Sequence, residues 1–239
     1  MAEYFRYILF FITIFISNTI QVITGFAGAM LAMPPSIRLI GVGPAKAIVS
    51  IVSGASCVYV AVRYWRDINK KELLKILALM GIGMYTGIRL FYVLKLDILL
   101  QIYGAIIILI ALKKLFVKKE IQMPPAVLYL CLVMAGMIHG MFISGGSFLV
   151  VYAVWALHEK QEFRATVSAV WVVLNSFLLY DHYQAGYFTT QTGRILVISV
   201  LPFLMAVWLG NQLVQKISAE KFLLLTYILL LASGAIAVL

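Results

Sequence analysis

The chain is poor in charge, acid and cysteine. Charged residues make up 12% of its 239 positions, about half the ~25% of a soluble domain. Only nine residues are Asp or Glu. No pair of carboxylates lies within an apolar stretch, and no GxSxG, HExxH or Walker loop occurs, so no enzyme constellation is present. Pumping driven by ATP would need a nucleotide-binding domain from another chain. The two cysteines, Cys57 and Cys131, sit in apolar runs without a CxxC or a His/Cys cluster. Both read as small buried hydrophobes, and neither a disulfide framework, a metal site nor a cofactor is implied. A basic stripe interleaved with exposed aromatics is also missing, which sets nucleic acid aside as a partner. The formal charge of +10 is better explained by Lys and Arg in short loops that fix orientation in a bilayer.

What is present is grease: 64% of the residues are hydrophobic. Too few polar residues remain to cover a water-soluble core. Apolar runs near the ~20 residues needed to cross a bilayer recur at 7–24, 43–62, 73–93, 98–116, 126–143, 164–180, 194–213 and 221–239. The expected class is an all-α polytopic membrane protein. Runs this long and continuous exclude a barrel of alternating ~10-residue strands. Arg6 and Ala27-Gly28-Ala29 resemble a signal peptide, but the same small-residue break recurs internally at 144–147. The first helix is therefore expected to stay on the mature protein.

That break is the organising feature. Gln21-Val-Ile-Thr-Gly-Phe-Ala-Gly-Ala-Met-Leu-Ala-Met-Pro34 has a counterpart 118 positions later, His139-Gly-Met-Phe-Ile-Ser-Gly-Gly-Ser-Phe-Leu-Val-Val-Tyr152. At that offset Gly28/Gly146, Leu31/Leu149, Ala47/Ala165, Val49/Val167, Ser50/Ser168 and Val52/Val170 are identical, and Lys46 faces Arg164. Such coincidence predicts an internal duplication, with halves 1–122 and 123–239 meeting at Met123-Pro-Pro125. In each half a full helix precedes the break and a half-helix follows it. Residues 27–39 give a helix of only ~20 Å, short of the ~30 Å hydrocarbon core.

Orientation follows from loop charge. If residues 7–39 cross once, the halves are parallel and Lys plus Arg divide 11 against 8. If they enter and return, each half crosses an odd number of times and the division is 13 against 6. The more asymmetric count favours inverted repeats, with loops 63–75, 113–119, 160–164 and 216–221 in the cytoplasm.

A half-helix starting near the membrane midplane at Gly28 or Gly146 leaves backbone N–H groups unpaired at the positive end of its dipole. Glycine lets an anion approach that backbone. Two such ends facing each other, with hydroxyls from Thr24, Ser144 and Ser147 and with Gly25 and Gly145 in the breaks, form a candidate site for a small oxyanion. Gln21 and His139 occupy matching places before the two breaks, and Asn175 is a further polar group within a span. Asn18 and Gln21 lie one turn apart, where a helix–helix hydrogen bond and a substrate contact are both open readings. His139 is similarly open between packing and proton coupling. Lys46, Ser50, Ser53, Arg164 and Ser168 are candidates for support, the serines also for close helix packing. His158 and His182, at span ends, read as interfacial.

The two motifs carry a resemblance. Gln21-x-x-Thr-Gly-Phe-Ala-Gly-x-x-x-Ala-x-Pro34 followed by Ala47-x-Val-Ser50 resembles the repeated signature of the sulfite exporter TauE/SafE family. Gly140-x-x-x-Ser-Gly-Gly-Ser-Phe-Leu-Val-Val followed by Arg164-Ala-Thr-Val-Ser168 fits the same pattern. The resemblance implies a secondary transporter of sulfur-containing anions, sulfite or small organosulfonates, in a prokaryotic inner membrane, with protons or another ion as candidates for coupling. Tyr152 stands where the second repeat usually has proline, and Ala27 and Ala29 where glycines are common. A passive anion channel and a non-transporting assembly component are the rival functions; currents far above carrier turnover would mark the first, and absence of flux the second.

Overall fold

Where the sequence loses its apolar continuity, the helices end. In this computed structural model, residues 2–116 and 124–213 are described, with scattered positions between 224 and 238. All regular structure among them is helical: α1 (Ala2–Thr24), α2 (Gly28–Ile40), α3 (Val42–Arg63), a 3-10 turn at Trp65–Asp67, α4 (Lys70–Val93), α5 (Leu96–Phe116), α6 (Pro125–Phe142), α7 (Gly146–Ala156), α8 (Lys160–Gln184) and α9 (Thr190–Leu213). Seven of these are long and apolar enough to span a bilayer, and α2 and α7 are not among them. The chain is an all-α, multi-pass membrane protein. The expected eighth span at 221–239 and the boundary at 122/123 fall largely or wholly outside the described residues.

Both breaks use the same backbone device. Gly25, at φ +82°, closes α1 with its N–H on the Gln21 carbonyl (2.7 Å). Ile143, at the matching position, takes φ +60° and bonds the His139 carbonyl (2.7 Å). A left-handed conformation costs glycine nothing but strains a β-branched residue, by about 1–3 kcal/mol.

After each break the chain doubles back. Gly28 packs against Ser17 and Gln21, and at the far end of α2 the Arg6 guanidinium donates to the Arg38 carbonyl (3.3 Å). α2 thus returns to the end where α1 began. α7 folds back along α6 in the same way, Gly145 against Ala135 and His139, and Tyr152 against Tyr129. Pro34 cannot donate to the Met30 carbonyl, and the Tyr103 hydroxyl of α5 takes that acceptor instead (3.4 Å).

Glycines set the closest crossings. Gly136 and Gly140 of α6 lie on the backbone of Met80 and Met84 in α4, while Gly83 and Gly87 lie on Val133 and Met137. The paired small-xxx-small faces bring two backbones together, where van der Waals contact replaces the missing hydrophobic drive in lipid. The ascending numbers on both sides make α4 and α6 parallel. α1 and α9 are parallel as well, Tyr7 meeting Gln191 and Val22 meeting Gly210. α3 and α8 run antiparallel, with Ser50 near His182 and Gly54 near Asn175. Exchanging α1–α4 with α6–α9 maps the neighbour pairs α1/α2, α2/α3, α1/α9 and α3/α9 onto α6/α7, α7/α8, α6/α4 and α8/α4. Outward faces carry apolar side chains such as Val197, Leu201, Trp208, Ile82 and Phe177, as lipid requires.

Candidate functional site

The two breaks touch. Gly146, first residue of α7, lies against the Phe26 carbonyl, so closely that a Cβ there would stand 2.6 Å from the oxygen. The Ser147 hydroxyl reaches the Met30 sulfur of α2 (3.2 Å). Beside this contact is a cavity of about 10 Å³ lined by Gln21, Phe26, Ala29, Ser53, Cys57, His139, Ile143, Gly146, Trp171 and Asn175. That volume admits about one water molecule.

Its polar groups are unusual for a buried place. Both ring nitrogens of His139, the indole Nε1 of Trp171 and Oδ1 of Asn175 are buried without a hydrogen-bond partner among the described residues. The His139 and Trp171 rings lie 4.8 Å apart. Buried polar groups left unpaired cost about 1–3 kcal/mol each, so three residues with unsatisfied atoms around one cavity mark it as the candidate site. A neutral imidazole and an indole each supply an N–H, whereas the unpartnered atom of Asn175 is an acceptor. The two rings can offer N–H groups to oxygens without a full positive charge.

The breaks differ in how their half-helices are capped. At α2 the Gln21 amide oxygen accepts from the Gly28 N–H (2.8 Å), and the Thr24 hydroxyl accepts from the N–H groups of Phe26 (3.3 Å) and Ala27 (3.2 Å). Its first donors are therefore taken, contrary to the expectation of an open N-terminus. Gln21 also donates to the Gly25 carbonyl (3.3 Å) and to Cys57 Sγ (3.5 Å). At α7 the matching side chain is His139, and among the described residues no side chain accepts from the Gly146 or Ser147 N–H as Gln21 does from Gly28. The dipole end at Gly146 is the one presented to the cavity.

Other expected site residues are placed differently. Thr24 and Ser144 turn their hydroxyls to the Ile20 and Phe142 carbonyls (2.8 and 2.9 Å) and do not line the cavity. Gly25, Gly28, Gly145 and Ser147 shape the breaks from behind it. Asn18 donates to the Ile14 carbonyl within its own helix (2.9 Å), while Ser53 donates to Val49 (2.6 Å) yet still lines the cavity. Arg164 sits over the Tyr64 ring (5.7 Å), away from the cavity, and Ser168 is buried outside its lining. His158 is exposed, but His182, near the end of α8, is fully buried rather than interfacial because it packs on Ser50 of α3 and on the Tyr187 ring. Sequence reasoning missed Trp171, Cys57, Phe26, Ala29 and Ile143. Trp171 and Cys57 each lie four residues from a polar candidate, Asn175 and Ser53, which puts them on the same helix face.

A family model for the sulfite exporter TauE/SafE matches residues 9–236. The chain belongs to this family. TauE/SafE proteins are membrane transporters of sulfur anions, so the cavity lies in a member of a transporter family. No curated protein and no solved structure matched the chain. In this TauE/SafE chain Tyr152 has a definite role: its hydroxyl donates to Glu72 Oε2 (2.6 Å), and Glu72 also pairs with Lys75 (2.7 Å), tying α7 to α4.

Proposed function

We propose that this TauE/SafE protein is a secondary transporter that moves sulfite or a small organosulfonate across the cytoplasmic membrane of a prokaryote, binding the anion between the two breaks. The observation that carries this reading is the convergence of the buried, unpartnered ring nitrogens of His139 and Trp171, with Asn175 alongside, on the start of α7 at Gly146. A sulfonate or sulfite presents three oxygens to N–H donors. Fixed dipoles and neutral donors hold it loosely enough for release. The cavity is smaller than any such anion, so loading requires α3 and α8, or α7 and α2, to part. That is the closed stage of an alternating-access cycle.

The doubling back of α1/α2 and α6/α7 supports an odd number of crossings in each half, and hence halves 1–122 and 123–239 as inverted repeats. His139 is the group on which proton coupling would act, since protonation would turn both ring nitrogens into donors facing the anion.

Purified protein in proteoliposomes should accumulate labelled sulfite or a short alkylsulfonate. Gly146→Leu, which pushes a side chain into the Phe26 carbonyl, should abolish the flux. Undiminished flux in a folded Gly146→Leu variant would sink the proposed site, and absence of flux for every sulfur anion tested would sink the function.

A further inference from the structure

A polar file leads away from the central cavity along the α3/α8 interface. On α3 it comprises Ser53, Ser50 and Lys46, and on α8 Asn175 and His182; all five are buried. Lys46 stands at the far end, seven residues or about 10 Å along α3 from Ser53. Its Nζ is buried with no hydrogen-bond partner among the described residues, and its nearest recorded company is the Phe91 ring, 3.7 Å from the centroid. His182 is fully buried, with Nδ1 3.4 Å from the Ser50 hydroxyl and Nε2 unpartnered. Asp181 is within electrostatic reach of Lys46 but makes no ion pair with it among the described residues, and its Oδ2 accepts from the Tyr92 hydroxyl (3.2 Å). The matched cation of the other half, Arg164, is only half-buried, so the unpaired buried charge belongs to one end of the file.

An ammonium taken out of water costs more than one aromatic face returns. Asp181 stands within reach without pairing, so the contribution still open at Nζ is a counter-charge in direct contact. We infer that Lys46 and His182 form a second anion station, separate from the central cavity, that receives the small oxyanion on the α3/α8 path to the Arg38 end of the bundle. Lys46 supplies the charge, and His182 and Ser50 supply hydrogen bonds. This rests on the transport reading insofar as both stations take the same anion.

Calorimetric titration of the purified full-length chain with sulfite tests it. Wild type should bind two anions. Lys46→Met, which keeps the packing on Phe91, should bind one, and Lys46→Arg should restore two. His139→Leu, which alters only the central cavity, should also bind one. His182→Gln keeps the Lys46 charge and should weaken the second site about tenfold, so the proposal remains testable if Lys46→Met does not fold. Wild-type stoichiometry and affinity in Lys46→Met or in His182→Gln would overturn the station and leave the central site standing. Wild-type binding in His139→Leu, with loss in Lys46→Met, would overturn the central reading and leave the station in place.

Discussion

Gln21 and His139 occupy matching positions before the two breaks and do opposite work. The Gln21 amide is spent on structure, holding the Gly28 N–H at 2.8 Å. Gln21→Leu strands that donor in a buried place and should cost about 1–3 kcal/mol, read as a lowered unfolding midpoint in detergent. His139 makes no close hydrogen bond, its ring only approaching the Ile143 backbone. His139→Leu should therefore leave the midpoint unchanged or higher by up to about 1–3 kcal/mol in stability, while sulfite flux falls. A His139→Leu protein that is destabilised as much as Gln21→Leu would assign the imidazole to packing. The sequence supplied both residue types and their equivalence, but it carried no information on which one keeps its partners.

At the scale of elements, the bundle rests on backbone contact where glycine occurs rather than on bulk burial. Any side chain at Gly136 would run into the Met80 carbonyl of α4, whereas Gly81, on the neighbouring α4 face, looks into open space. Gly136→Ala should destabilise by about 1–3 kcal/mol through overpacking. Gly81→Ala should be neutral or stabilising by up to ~1 kcal/mol through helix propensity. Thermal unfolding of the two variants side by side checks the contrast, and equal midpoints would refute the close α4/α6 crossing. Gly81, Gly83 and Gly87 all lie in the apolar run 73–93, where any of them could carry a close crossing. Only the placement of α6 separates the two that carry it from the one that does not.

For the whole molecule, the doubling back at each break predicts which face of the membrane each loop reaches. Each half-helix returns to the end where its preceding helix began, and parallel α1/α9 and α4/α6 pairs agree with halves of opposite orientation. In a Cys57→Ser, Cys131→Ser background, Tyr4→Cys and Trp65→Cys should react with a membrane-impermeant maleimide from opposite faces, Trp65→Cys from the cytoplasmic one. Both native positions are exposed. Labelling of the two from the same face would require parallel halves and a single crossing of residues 7–39.

The membrane class, most span boundaries and both breaks follow from the sequence by itself, because hydrocarbon thickness fixes helix length and lipid forbids unpaired backbone. Gly28 and Gly146 start their half-helices where the repeated motif put them. The occupancy of the hydrogen bonds was decided only by the tertiary structure. Thr24, Ser144 and Ser147 looked like anion ligands because a hydroxyl's partner depends on a rotamer and on neighbours distant in the chain, and all three face protein atoms instead. Trp171 and His182 gained their places in the same way, through the antiparallel packing of α3 and α8, a contact between segments more than a hundred residues apart that no local pattern encodes.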